Sequence, residues 1–400
     1  MAIGAPGVLP TVNTAINGPQ TNTAQIKTLP NSTIIPAKTI NPVKTFGKRE
    51  QSNAEQNPGV HGQAEKTAEE SAKFSDLSGI KAAHESSILF DSANKTLPAP
   101  VAAANKKAAT KEQAAQNEIG EFLRRSIAVE RRNAQLKNVQ EQIKTVPEER
   151  KKELIKESNR LQDLSLEALI DAYFPKAEAD AAMENFISHV QNAELTINFD
   201  PNMKLPDGRS IIDGFMADGV YKNYAQTGVT QGIATKQRAV AEDKMFEGLA
   251  GAAPEKRPKY ASVNVTEDPA GGAPRYSDYS KGEKGVYFVL KDGLKRRATL
   301  TARDTLDNMG TVPVGTFDNA AYALNDMPRE NLLELFRWVA GGRVGPRPDV
   351  RTNPEVQIFD EVRLKDDVER MAAHRAYRGT PAEGGIRALA GQLGLRLVWY

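Results

Sequence analysis

A chain of 400 residues with a net charge of +2 and 26% charged residues is near electrical balance, which argues against a generally basic nucleic-acid binder. It contains no cysteine, so disulfides, thiolate metal sites and a cysteine nucleophile are excluded, and His61, His84, His189 and His374 lie too far apart to suggest a zinc site. The length allows about two or three domains, and no run resembles a membrane span or a secretory signal peptide.

Residues 1 to 110 are dominated by Ala, Thr, Asn, Gly, Pro, Ser and Lys without a sustained period. Such a segment cannot bury enough apolar surface to offset its conformational entropy, so the expectation is a disordered tail. Its composition also permits a type III secretion signal followed by a chaperone-binding region, with Ser87-Ile88-Leu89-Phe90 as an anchor.

Residues 111 to 192 read as a helical subdomain. Ile119, Phe122, Leu123 and Ile127, then Leu136, Val139 and Ile143, recur at three- and four-residue spacing among charged residues. Thr145-Val146-Pro147-Glu148 predicts a capping box that starts a second helix. Shorter helices are expected over Leu164 to Tyr173 and Ala177 to Gln191, the second carrying His189 in a packing or surface role.

Residues 193 to 400 switch to a strand-rich α+β texture. Leu195, Ile197 and Phe199 alternate with polar residues, and Asp200-Pro201 ends that strand. Ser210 to Tyr221 predicts a short helix stopped at Gly219, followed by a loop over Asn223 to Gly232. Further strands are expected over Arg257 to Val265, Val286 to Leu290 and Ala298 to Thr301, and an amphipathic helix over Met327 to Val339. A Gly/Pro-rich loop then leads to Glu355, at the start of a strand in which Val356 and Ile358 alternate with polar residues. A helix over Asp366 to Arg375 and a strand over Leu395 to Trp399 complete the reading.

No phosphate-binding glycine loop, His-Glu-x-x-His pair or Gly-x-Ser-x-Gly elbow is present. A glutamate at a strand start can be aimed into a cleft by a rigid sheet, although an exposed strand-end glutamate is the commoner case. Asp360 with Glu361 makes a weak dyad, because adjacent residues on an extended strand point to opposite faces.

Several pieces taken together resemble a bacterial family catalogued as a domain of unknown function. They are Asn198-Phe199-Asp200-Pro201, Asp218-Gly219-Val220-Tyr221 with Gln226-Thr227-Gly228, Arg257-Pro258-Lys259-Tyr260, Glu355-Val356-Gln357 and Tyr377-Arg378-Gly379-Thr380. With the polar tail and helical insert, the chain is similar to the CteC-like group of type III effectors, mono-ADP-ribosyltransferases that modify a threonine of host ubiquitin.

The resemblance implies an ADP-ribosyltransferase-like split-sheet domain, NAD as co-substrate without a metal, host ubiquitin as partner, and secretion into the host cytoplasm. It implies Glu355 as the catalytic carboxylate, and Asn198, Asp200, Thr227, Gly228, Tyr260 and Ser262 at the cofactor, with Ser262 supporting the carboxylate. Two departures stand out. The basic or imidazole residue usual on the first cleft strand is replaced by Asn198 and Asp200, and Asn353 stands where arginine-specific members carry Glu or Gln. A paired-carboxylate hydrolase and a non-enzymatic host-protein binder are the alternative readings.

Overall fold

The computed structural model describes residues 97–228, 235–274, 285–308, 310–348 and 354–400, all within one unit, Leu89–Tyr400. The expected secretion and chaperone segment before residue 97, and Asn353, lie outside the described residues.

Five helices come first. Helix α1 (Ala99–Ala109) falls inside the stretch expected to be disordered, so that expectation is corrected at its end. Its alanines favour helix, and Val101, Ala104 and Ala108 bury a narrow stripe. Val101 packs with Phe246, Leu249 and Phe359 in a small apolar cluster of its own.

Helix α2 (Glu112–Thr145) buries Ile119, Leu123 and Ile127 on one face, as their four-residue spacing requires. Helix α3 (Glu148–Gln162) begins after Pro147, but the predicted capping box does not form. Thr145 still belongs to α2, and its hydroxyl turns back to donate to the Gln142 carbonyl at 3.2 Å. Helices α4 (Leu166–Tyr173) and α5 (Lys176–Asn192) follow close to their expected bounds.

The sheet strands are β1 (Leu195–Phe199), β3 (Lys259–Val263), β4 (Val286–Leu290), β5 (Ala298–Thr301), β6 (Glu355–Ile358), β8 (Val368–Ala373) and β9 (Arg396–Trp399), in spatial order β5-β6-β3-β1-β4-β8-β9. All neighbours are antiparallel except β8 and β9, which makes the sheet mixed. A second, two-stranded sheet joins β2 (Val220–Tyr221) to β7 (Val362–Arg363).

The remaining helices are α6 (Ile211–Asp218), α7 (Tyr224–Thr227), α8 (Thr235–Met245), α9 (Ala320–Leu324), α10 (Arg329–Ala340), α11 (Leu364–Asp367) and α12 (Pro381–Leu393). Ser210 and Asp213 cap α6 reciprocally, and Gly219 ends it in the left-handed region at φ 67°. Asn223 and Gln226 cap the single turn of α7 in the same way, within a stretch expected to be loop.

The helix expected over Asp366 to Arg375 is a correction: one turn, α11, leads into strand β8. Glu369-Arg370-Met371-Ala372-Ala373 has good helix formers, but pairing with β4 on one side and β9 on the other overrides their preference. Helix α12 is the connection that parallel strands β8 and β9 require.

Alternation along the strands gives the main sheet two different faces. Leu195, Ile197, Phe199, Val263, Phe288, Leu300, Val356, Ile358 and Met371 join one apolar core with Ile119, Leu123, Phe186, Leu332, Phe336 and Ile386 from the helices. The early helices and the sheet therefore share a core instead of forming separate ones. In the middle of the opposite face the buried residues are polar: Thr196, Asn198, Ser262, Thr299, Thr301 and Gln357.

Candidate active site

Strands β1 and β3 pair at only two positions, Leu195 with Val263 and Thr196 with Ser262. Beyond them β1 stays paired to β4 through Phe199, while β3 stays paired to β6 down to Lys259. The sheet therefore splits between its third and fourth strands. The gap opens a cavity of about 190 Å³, with Ile197, Asn198 and Phe199 on one bank and Tyr260, Ala261 and Ser262 on the other. Phe215 of α6, Tyr221 of β2 and Tyr224 and Thr227 of α7 form further walls.

The closed end of the split is stitched by the loop after β3. The Gly272 amide donates to Thr196 Oγ1 at 2.8 Å, Ser262 Oγ lies 3.1 Å from the Gly272 carbonyl, and Asn198 Nδ2 donates to the Ala270 carbonyl at 2.9 Å. Glycine is required at 272, because a Cβ there would stand 2.9 Å from the Val263 carbonyl carbon.

Glu355 sits half-buried at the start of β6, on the cleft wall. Its Oε1 accepts from Thr305 Oγ1, from the Thr305 amide at 3.3 Å and from Gln357 Nε2 at 3.0 Å. Among the described residues no hydrogen bond reaches Oε2, which leaves that oxygen for a ligand. Burial, then the nearby Asp304 carboxylate, push the Glu355 pKa up to about 7, against the opposing pull of Arg238, Thr305 and Gln357.

Arg238, on α8, lies with its guanidinium carbon 4.2 Å from the centre of the Tyr260 ring. Among the described residues its Nη1 is buried without a hydrogen-bond partner. Burial opposes the charge, while Tyr260, Glu355 and Asp304 favour it, and the net shift of its pKa is upward.

One helical turn further along α8, Glu242 is fully buried and accepts from Tyr260 Oη at 2.9 Å, Tyr224 Oη at 2.9 Å and Arg257 Nη1 at 2.7 Å. Burial raises its pKa, and those three donors favour the ionised form. Arg238 and Glu242 thus hold Tyr260 from two sides, one over the ring and one at the hydroxyl.

Of the residues singled out in the sequence, Asn198, Thr227, Tyr260, Ser262 and Glu355 line this one cleft. Asp200 does not: its Oδ1 accepts from the Asn202 amide at 2.8 Å and closes the turn after β1. Gly228 is not a lining residue either, and ends α7 at φ 70°. Ser262 differs from expectation in its partner. Its hydroxyl is 3.1 Å from both the Gly272 and Pro354 carbonyls, so it fixes the entry to β6, while Thr305 and Gln357 hold the carboxylate. Asp360 and Glu361 are exposed and outside the cleft, Glu361 being bonded to Arg363 at 2.6 Å. His189 packs as expected, with Nε2 2.6 Å from the Val265 carbonyl and its ring edge-on to Trp338.

Residues 194–338 match the profile of a family described as a protein of unknown function, DUF3626. No curated protein matches the chain. The matched segment holds both banks of the split, with Arg238, Glu242 and Asp304, and ends before Glu355.

Arg238, Glu242, Asp304 and Thr305 were not anticipated from the sequence. Arg238 and Glu242 stand four residues apart, a spacing that ordinarily marks a solvated helix pair. Tyr260 beneath α8, together with Tyr224 and Arg257 at the Glu242 carboxylate, turns that pair inward.

Among the described residues no group of three or more potential ligands could hold a metal ion, and no helix is long and apolar enough to cross a membrane.

Proposed function

We propose that this chain is an NAD-dependent mono-ADP-ribosyltransferase with Glu355 as its catalytic carboxylate. The observation that carries the reading is the split between β1 and β3 with an oriented glutamate on its wall, one oxygen engaged by Thr305 and Gln357 and the other open to a ligand. A split sheet of this kind supports the transferase reading that the sequence resemblance suggests.

The residues present suit NAD. Phe215, Tyr221 and Tyr224 offer aromatic surface for planar rings, and Asn198 and Thr227 offer polar edges. Arg238 is a guanidinium suited to phosphate oxygens, and supplies from a helix the cation that β1 lacks. Bound there, NAD would contribute an ADP-ribosyl group activated by its nicotinamide leaving group. Glu355 then stabilises the positive charge that builds on the ribose as that bond breaks, and can orient a ribose hydroxyl. Its raised pKa also suits it to take a proton from a hydroxyl acceptor near neutral pH.

The acceptor in this proposal is a threonine hydroxyl of host ubiquitin, reached after type III secretion into the host cytoplasm. That part rests on the sequence resemblance alone. The test is mass spectrometry of ubiquitin after incubation with NAD and the full chain, with Glu355→Gln in parallel. A mass gain of one ADP-ribose on a threonine, absent with the variant, is expected. NAD left intact with and without ubiquitin would overturn the enzymatic reading and favour a binding module.

A further inference from the structure

The buried polar row that ends at Glu355 has no counterpart on the sheet's other face. Strand register sets Thr299 opposite Gln357 and Thr301 opposite Glu355, on the side of β6 away from β3. Thr299, Thr301 and Gln357 are each fully buried. A buried hydrogen bond adds only about 1 kcal/mol net, and replacing both partners with apolar groups of the same shape can be nearly neutral. The row therefore calls for a role beyond folding.

Its hydrogen bonds have a direction. Thr299 Oγ1 donates to Gln357 Oε1 at 2.7 Å, which turns the amide so that Nε2 faces the other way. That nitrogen donates to Glu355 Oε1 at 3.0 Å and to Thr301 Oγ1 at 3.2 Å. Thr301 Oγ1 is in turn 3.0 Å from the Arg303 carbonyl, which accepts its proton. Both amide hydrogens are thereby committed, and a carboxylate is the acceptor at the end of the row.

We infer that Gln357 is a positioning residue for Glu355: its amide, oriented by Thr299, holds Oε1 within the sheet and so presents Oε2 to the cleft. This deepens the transferase reading and rests on it. The charged and titratable groups around the carboxylate are Asp304 on the loop after β5, Arg238 on α8 and Tyr260 on β3. None of them lies on β6, so a change at Gln357 leaves their charges in place while removing one donor to the ionised form.

The experiment compares the full-length parent with Gln357→Met, Gln357→Glu and Thr299→Val, recording NAD turnover across pH. The parent should lose turnover as pH falls through about 7, where Glu355 takes up its proton. Gln357→Met should move that limb upward by about one pH unit and lower the plateau at least about tenfold, with KM for NAD changed less than about threefold. Gln357→Glu should move the limb the same way, and Thr299→Val should do so by a smaller amount. A rate that falls equally at every pH, or a limb that stays in place in Gln357→Met and Thr299→Val, would overturn the positioning role.

A second readout separates this inference from the transferase reading. The stability difference between parent and Glu355→Gln, followed across pH, reports Glu355 ionisation without any turnover. Parent protein that consumes no NAD refutes the transferase reading. The positioning of Glu355 then stands or falls on whether Gln357→Met moves that stability transition to higher pH.

Discussion

Replacing Glu355 by glutamine should push activity and stability in opposite directions. In the folded chain the carboxyl titrates near 7 in place of its ordinary 4.5, so ionising it costs stability. The sign follows from proton counting. Below about pH 4.5 both states hold the proton and there is no cost. Between 4.5 and 7 the unfolded chain gives the proton up first and stability falls, and above 7 the loss is complete. A displacement of 2.5 pH units (7 minus 4.5) corresponds to about 3 kcal/mol.

Glutamine keeps an oxygen to accept from Thr305 and Gln357 but never charges. Glu355→Gln should therefore be more stable than the parent by about 1–3 kcal/mol at pH 8, a rise of a few degrees in Tm, with the margin gone at pH 4.5. Turnover should fall about 10²- to 10³-fold. Chemical denaturation at the two pH values, beside an NAD-consumption assay, checks both halves. A variant less stable than the parent by the same amount at pH 4.5 and pH 8 would refute the reasoning, because the glutamate would then be a structural residue without stored electrostatic cost.

Other changes test the surrounding parts. Gly272→Ala should cost about 1–3 kcal/mol in thermal unfolding and lower activity, since its Cβ would press on the Val263 carbonyl and disturb the bonds to Thr196 and Ser262. Arg238→Gln should weaken ADP-ribose binding about 10- to 100-fold in calorimetry while nicotinamide alone binds as in the parent. Asp360→Asn and Glu361→Gln should stay within about threefold of parental turnover, because both side chains are exposed outside the cleft. Truncation through Thr110 should lower Tm relative to truncation just before Leu97, because it removes α1 and uncovers Phe246 and Phe359, a loss of about 2 kcal/mol from Val101 alone.

The strands around the cleft were legible where alternation survives, because one face of the sheet is apolar and the middle of the other is polar. Leu195–Phe199 and Ala298–Thr301 lie where period-two patterning puts them, and Val286–Leu290 lies where an unbroken apolar run does. Strand β8 was not legible, because Glu369 to Ala373 is sheet only by virtue of partners far away in the chain. Helix α8 was passed over because Arg238, Glu242 and Lys244 look like a solvated surface, and it takes Tyr260 and Arg257 to make Glu242 a buried group. Glu355 could be picked from its place at a strand start. That its carboxylate is held by Thr305, fifty residues earlier, could not be read from spacing.

The parting of β1 from β3 also gives the molecule two inner edges. A strand without a neighbour ordinarily presents unpaired backbone groups to any passing chain, and proteins guard such borders with charge or cover. Here Ile197 to Phe199 and Lys259 to Ala261 have no ladder partner across the gap, yet they face each other inside the fold, under α6 and α8. The peptide groups along this seam are hidden from other proteins' strands and remain open to a molecule small enough to enter. Recognition can then draw on the main chain itself, which no side-chain substitution removes.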